Sequence, residues 1–321
     1  MIVVFGSFNI DFVMRLERLP EPGETILEGD YILVPGGKGA NQACAAARAS
    51  RVSGGASGAA ESDGTRVAMV GKVGTDDWGR FATVKLEEAG ADVSAVERIE
   101  TATGCAAIFV DKAGENTIVV ASGANMKAEA TQVADNLLGP ETWLVLQMEV
   151  PPEENWALIG RAKRQGARVL LNVAPAAPVP ASVLDDVDIL VVNEIESRMV
   201  ADSLGLESED PLGIARRLSA NHDLICLTTL GAAGAIAIGP EGAWQVAPLV
   251  VTPADTTGAG DAFIGTLAAA LDGGTDLPQA LHRASVAAGL CCTRWGTQSS
   301  FAWAEEIEAR LGDLAPARPI S

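Results

Sequence analysis

In the second half of the chain, short runs of β-branched and aliphatic residues alternate with longer segments of helical period, and this alternation leaves few architectures open. The runs at 143–148, 168–173, 187–192, 224–229 and 235–238 read as strands, and the segments at 153–165, 214–220, 261–271, 277–292 and 303–311 as helices. A strand that is apolar at nearly every position has no face to give to water. It belongs in a sheet covered on both sides, and strands alternating with helices make that sheet mainly parallel. The expected fold is an α/β three-layer sandwich, with 2–5 and 67–73 as further strands and 38–49 and 76–89 as further helices. Ligands of such sheets bind where strands end and helices begin, so the residues that follow each strand carry the chemistry.

Two segments break this rhythm. Residues 11–35 and 92–121 read as short strands joined by turns with no helix between them, which predicts a small second β-sheet acting as a lid on the main domain. The main domain is then made of residues 1–10, 36–91 and 122–321. Residues 50–64 are rich in Gly, Ser and Ala without periodicity and read as a flexible surface insertion.

Composition removes several function classes. There are 23 Lys and Arg against 42 Asp and Glu, a net charge of −19, and the basic residues do not cluster, so a nucleic-acid surface is excluded. Only His222 and His282 occur, in no metal-binding spacing. The five cysteines are odd in number and form no Cys-x-x-Cys, which reads as reduced thiols of a cytoplasmic protein. The amino terminus reaches Asp11 with no basic region before its apolar run, so it is read as a strand and not a signal peptide. No apolar stretch approaches the ~18 residues of a membrane span. No lysine precedes Ser or Thr, and no Gly-x-Gly-x-x-Gly or Gly-x-Ser-x-Gly occurs, which removes P-loop, dinucleotide and serine-hydrolase schemes.

Three constellations remain. The run DTTGAGD, 255–261, enters an apolar helix; Gly258, Ala259 and Gly260 put small residues at a helix start, where unpartnered amides and the helix dipole form an anion site. Asp261, at the first helical position, is either a helix cap or a carboxylate facing that anion. The run PGGKGANQ, 35–42, also enters a helix: Gly36, Gly37 and Gly39 admit a ligand close to backbone, while Lys38 and Asn41 offer a cation and an amide. Asn9 and Asp11 share one face of a strand end and suit sugar hydroxyls, or else are a polar terminus. Asn193 and Glu196, after a buried strand, can face the crevice toward magnesium and phosphate; Glu149, closing another strand, is a further carboxylate there or a solvated end.

Together these segments resemble the PfkB-type carbohydrate kinases, most closely their ribokinase branch. The match runs in order through GSFNID at 6–11, GGKGANQA at 36–43, LQMEVP at 146–151, NVAPA at 172–176, NEIE at 193–196, TTLGAAGA at 228–235, DTTGAGD at 255–261 and CTRWGTQSS at 292–300. The resemblance implies a ribokinase-like three-layer sandwich with a small β-sheet lid that also makes a homodimer, and transfer of the ATP γ-phosphoryl to O5 of D-ribose. It implies Asp261 as general base and Gly258, Ala259 and Gly260 as an anion hole. Asn9, Asp11, Gly37, Lys38, Gly39, Asn41 and Glu149 are implied to hold the sugar. Asn193 and Glu196 are implied to handle phosphate and Mg2+. Thr229, Gly231, Gly234, Gly260 and Ser285 would line the nucleotide, Ser285 standing where relatives tend to carry Asn or His. A monovalent cation, K+, is implied between Asp255, Ser300 and the carbonyls of Thr257, Cys291, Arg294 and Gly296. Other sugar or nucleoside kinases of the same family and a non-catalytic sugar-binding protein are the alternative readings.

Overall fold

The computed structural model describes residues 1–27, 30–51, 67–112, 116–206 and 210–320. In chain order the elements are β1 (Ile2–Phe5), β2 (Asn9–Arg15), β3 (Tyr31–Gly36), α1 (Lys38–Ala49), β4 (Val67–Gly74), α2 (Asp77–Glu88), β5 (Asp92–Ile99), β6 (Gly104–Val110), β7 (Asn116–Ala121) and β8 (Trp143–Leu146). They continue with α3 (Pro152–Gln165), β9 (Arg168–Asn172), α4 (Ala181–Leu184), β10 (Ile189–Asn193), α5 (Glu194–Ser203), α6 (Pro211–His222) and β11 (Ile225–Thr229). The last are β12 (Ala235–Gly239), β13 (Gly242–Val246), α7 (Ala259–Asp272), α8 (Leu277–Cys292), α9 (Ala304–Arg310) and β14 (Arg318–Pro319).

Ten strands form one sheet in the order β14-β13-β12-β11-β10-β9-β8-β1-β4-β5. It is parallel from β11 to β5, and β12, β13 and β14 add antiparallel pairs at one edge. Side-chain alternation divides each central strand between two cores. Ile2 and Val4, Val145, Leu170, Ile189 and Val191 pack on the side of α1, α2, α7 and α8. Val3 and Phe5, Leu144 and Leu146, Leu171, Leu190 and Val192 pack on the side of α3, α5 and α6. The continuous apolar runs are thus two interleaved period-2 patterns, each buried by its own helix layer. The sandwich expected from the sequence is the one observed.

The strand order reverses at β1, which pairs with β8 on one side and β4 on the other. A crevice opens at the carboxyl ends of strands flanking such a switch point. The chain then runs through Gly6, Ser7 and Phe8 directly into β2, which belongs to a second, four-stranded sheet of order β3-β2-β6-β7. Residues 9–15 therefore carry the backbone from the floor of the crevice into the small sheet.

Three expectations need correcting. Residues 92–99 do not belong to the small sheet: β5 pairs parallel with β4 and closes the edge of the large one. The segment after β10 is a helix, α5, which mixed polarity hid in the sequence. Asp261 is not the first residue of α7, because the helix starts two residues earlier at Ala259, with Gly258 as its N-cap in a left-handed conformation (φ 80°). The Gly/Ser/Ala-rich insertion expected at 50–64 lies outside the described residues from 52 on.

The two helices that end in the crevice, α1 and α7, touch through backbone. A Cβ placed on Gly265 would stand 2.5 Å from the Gln42 carbonyl oxygen and 2.6 Å from Ala45 Cβ, closer than real contacts allow. Overpacking a buried contact destabilises by ~1–3 kcal/mol. Gly265→Val is therefore expected to lower the urea midpoint by at least that equivalent, and a midpoint equal to wild type would show that the two helices can separate.

Candidate active site

The crevice is organised by α1. Gly37 is its N-cap at φ 88°, and a Cβ there would come within 2.6 Å of the Asn9 amide nitrogen, so only glycine lets the helix start this close to β2. The next amide, Lys38 N, donates to Glu149 Oε2 at 3.0 Å, and Ser7 Oγ donates to the same oxygen at 2.6 Å. Gly39 N in turn donates to Ser7 Oγ at 3.3 Å. Glu149 thus stands at the N-terminus of α1, where the helix dipole favours a negative charge. Asn9 is fixed from the other side: Asn125 Nδ2 donates to Asn9 Oδ1 at 2.9 Å while the Asn125 side-chain oxygen accepts from Phe8 N at 2.9 Å.

The Asp261 carboxylate, third residue of α7, is held at both oxygens. Asn41 Nδ2 donates to Oδ2 at 3.0 Å and Gln42 Nε2 donates to Oδ1 at 3.0 Å. Its amide and that of Gly260 lie in the first turn, among the N–H groups that an α-helix leaves without an intrahelical partner, whereas the Ala259 amide expected in the same anion hole donates to the Thr256 carbonyl at 3.3 Å. A buried carboxylate and unpartnered amides therefore share one helix start. Burial raises the Asp261 pKa above the usual carboxylate range, against the Lys38 ammonium and the two amide donors that pull it down. Burial likewise pushes Asp11 up to about 7, reinforced by the negative fields of Glu149 and Asp261. For Lys38, burial works to lower the pKa, but Asp261, Glu149, Glu196 and Asp11 outweigh it and hold the ammonium above its ordinary value. The site is one cation enclosed by carboxylates, three of which, Asp11, Asp261 and Glu196, burial makes reluctant to ionise.

Thr229, Gly231, Gly234, Gly260 and Ser285 line a cavity of about 610 Å³ whose other walls include Val250 and Phe263. Gly260 connects this cavity to the start of α7. Ser285 Oγ donates to the Ala247 carbonyl at 2.7 Å, so its hydroxyl is already engaged on the cavity wall. Asn193 and Glu196 are placed differently from the free pair expected. They form a reciprocal capping box on α5: Asn193 Oδ1 accepts from Glu196 N at 2.8 Å and Glu196 Oε2 accepts from Asn193 N at 2.8 Å. The box uses one oxygen of each side chain and leaves Asn193 Nδ2 and Glu196 Oε1 outside it.

The residues expected around a monovalent cation come together from two stretches, the turn before α7 and the end of α8 with the segment after it. Asp255 Oδ1 accepts from Thr257 N at 2.9 Å and Oδ2 from Gly296 N at 3.2 Å, which ties the turn before α7 to the segment after α8. Arg294 N donates to the Cys291 carbonyl at 3.2 Å, while its guanidinium pairs with Glu306. Ser300 Oγ donates to Thr297 O at 2.6 Å and lies 3.1 Å from Cys291 Sγ. Burial pushes the Cys291 thiol up to about 11, so it stays protonated, and the donor atoms on offer are oxygens of the kind hard cations prefer. Among the described residues no group of three or more His, Cys, Asp or Glu forms a metal cluster.

Several buried polar residues that build the site escaped the sequence reading: Ser7, Gln42, Asn125, Gln147, Asn172 and Gln298. Gln42 adjoins Asn41 within the glycine-rich run, which was a usable signal. The others are recognisable only by what they touch across the fold.

Asp11 carries a testable consequence. Its folded pKa, about 7, lies above the unfolded 3.8, so between these values the folded protein holds a proton that the unfolded chain has lost. Stability from this group is fully present below the lower value and falls as pH rises through the window. Asp11→Asn is therefore expected to be more stable than wild type at pH 8, with the difference vanishing near pH 4, by urea unfolding at each pH; an equal difference at both would refute the raised pKa.

Comparison with known proteins places this geometry. The profile described as pfkB family carbohydrate kinase matches residues 1–304. A ribokinase of Lactococcus lactis is 31% identical over 315 residues, covering 98% of this chain and 97% of the relative. A deoxyribokinase of Salmonella typhi is 32% identical over 315 residues, covering 97% and 98%. The solved structure of Arabidopsis thaliana ribokinase complexed with ribose and ATP superposes with a TM-score of 0.83 at 30% identity, covering 97% of this chain and 98% of that one. No helix among the described residues is long and apolar enough to cross a membrane.

Proposed function

The chain belongs to the pfkB family of carbohydrate kinases, and from that premise we propose that it transfers the γ-phosphoryl group of ATP to O5 of D-ribose, giving ribose 5-phosphate and ADP. The observation that carries the mechanism is the start of α7, where a buried, hydrogen-bonded Asp261 carboxylate adjoins first-turn amides and the cavity reached by Gly260. Asp261 takes the proton of the sugar hydroxyl as O5 attacks the γ-phosphorus and the bond to the ADP oxygen breaks. A raised pKa suits it to that transfer, since a base tuned toward the working pH combines availability with proton affinity. The helix start at Gly258, Ala259 and Gly260 faces the charge on the transferring group, stabilising it by hydrogen bonds and dipole.

Asn9, Asp11, Gly37, Lys38, Gly39, Asn41 and Glu149 hold the sugar in the crevice between the two sheets. This reading is supported by their convergence there and by the Lys38 ammonium among carboxylates, a setting rich in acceptors. The cavity lined by Thr229, Gly231, Gly234 and Ser285 takes the nucleotide. Glu196 would act toward Mg2+ through Oε1, and Asn193 would donate from Nδ2 to a phosphate oxygen, these being the atoms their capping box leaves over; Mg2+ would neutralise phosphate charge. Asp255, Ser300 and the carbonyls of Thr257, Cys291, Arg294 and Gly296 would hold K+, which would supply positive charge; the reading is supported by the hydrogen bonds that tie the turn before α7 to the segment after α8. The solvent-facing apolar strip of the small sheet, with Tyr31, Ile32, Ile118 and Val119 exposed, supports a homodimer formed there, measurable by light scattering. Five free thiols fit work in the cytoplasm, which fractionation of the native cells checks.

A second reading, deoxyribose as the preferred sugar, is favoured by the deoxyribokinase relative alone. The deciding experiment is ADP release against ribose, deoxyribose, fructose and nucleosides, run in potassium and in sodium. Ribose is expected to give the highest kcat/KM and potassium the faster turnover. A preference for deoxyribose transfers the assignment, and no release with any acceptor leaves a non-catalytic sugar-binding protein.

Asp261→Asn is expected to lower kcat by at least ~10² while sugar affinity, by calorimetry, stays within a few fold, as loss of a general base requires. Turnover near wild type in that variant removes Asp261 from the chemistry.

A further inference from the structure

Behind Asp261 lies a chain of side-chain amides that the reaction itself does not touch. Gln42 Nε2 donates to Asp261 Oδ1 at 3.0 Å and to Asn172 Oδ1 at 3.1 Å, which uses both of its protons. Its oxygen accepts from Gln147 Nε2 at 2.9 Å. Gln147 follows β8, and its main-chain carbonyl accepts from Asn155 Nδ2 at 2.7 Å, which ties its backbone to α3, while its side-chain oxygen is buried without a partner. Gln42, Gln147 and Asn155 have no exposed surface, so water cannot replace a lost partner.

The direction of these bonds matters. An amide can rotate by half a turn and exchange its oxygen for its nitrogen, and a Gln42 so rotated would set an oxygen against a carboxylate oxygen. Gln147 prevents this by presenting an N–H to the Gln42 oxygen. Asn172 acts in the same sense by accepting from the nitrogen. We propose that Gln42 is a positioning residue for the Asp261 carboxylate, locked in its donating orientation by Gln147, so that Oδ1 is occupied by a fixed donor and the carboxylate plane is set before substrate enters.

This rests on the reading of Asp261 as the general base, yet the orientation it describes exists without substrate and can be measured without turnover. The other charged and titratable groups facing Asp261 are Lys38 from α1, Glu149 after β8, Asp11 from β2 and Cys291 from α8.

The experiment uses the full chain labelled with 13C at aspartate carboxyls, the Asp261 resonance being identified by its loss in Asp261→Asn. The carboxyl is titrated in wild type, in Gln42→Met, which keeps the volume without a donor, and in Gln147→Met, which leaves Asp261 its donor but frees it to rotate. Thermal melts confirm that each variant is folded. The midpoint is expected to move upward in Gln42→Met and by a smaller amount in Gln147→Met. With ribose and ATP, kcat is expected to fall about tenfold in Gln42→Met, its acid limb moving up with the carboxyl, and KM for the sugar to stay within about twofold. Identical carboxyl midpoints in folded wild type and Gln42→Met overturn the proposal, whatever the activity. A raised KM with unchanged kcat also overturns it, since Gln42 would then serve binding alone. Absence of turnover in wild type counts against the functional reading only, and the titration still decides the role of Gln42.

Discussion

The arrangement of the molecule follows from the cost of enclosing several carboxylates around one ammonium. Asp261, Glu149, Glu196 and Asp11 all bear on Lys38, and none of these groups is fully solvated. An isolated ionised group in such a place costs several kcal/mol, so each must be answered by a counter-charge or by aligned donors. The fold supplies both: Lys38 on the first turn of α1, Ser7 and a helix amide on Glu149, and two side-chain amides on Asp261. The glycines of 36–39 let these parts approach closely, because any side chain at Gly37 would meet the backbone of Phe8 and Asn9.

That local balance also reconciles the −19 net charge with an anionic substrate. The long-range field of the molecule repels ATP, so attraction must begin at close range, where the unpartnered amides and dipole at the start of α7 dominate. At the ~8 Å screening length of physiological salt the two regimes are separable, and a net charge set for solubility does not compromise a site built from a few fixed dipoles.

How much of this was legible in the sequence depended on the range of the interaction. Strands buried on both faces announce themselves by composition alone, so β8 to β11 could be placed from residues 143–229 without any contact. The glycine-rich starts of α1 and α7 were legible because backbone approach requires a residue type that stands out. By contrast α5 was hidden because its N-cap pair, Asn193 and Glu196, has the same chemistry as a ligand pair, and one residue pattern served two readings. Strand β5 was assigned to the wrong sheet because its mixture of half-buried and exposed residues fits an edge in either. Gln42 and Gln147 were missed for a simpler reason: glutamine is usually a surface residue, and the partner that makes this one special lies 105 positions away.

The contact between α1 and α7 at Gly265 has a consequence for movement. With the Gln42 carbonyl and Ala45 pressed against that glycine, the two helices have no clearance to slide, and Lys38, Asn41, Gln42 and Asp261 travel as parts of one rigid body. Asp11 is mounted otherwise, on a strand that leaves the large sheet and pairs with β3 and β6. Any hinging of the small sheet therefore changes the distance from Asp11 to the remaining charges while their mutual spacing stays fixed. The spacing of Lys38, Asn41, Gln42 and the Asp261 carboxylate is therefore independent of where the small sheet stands.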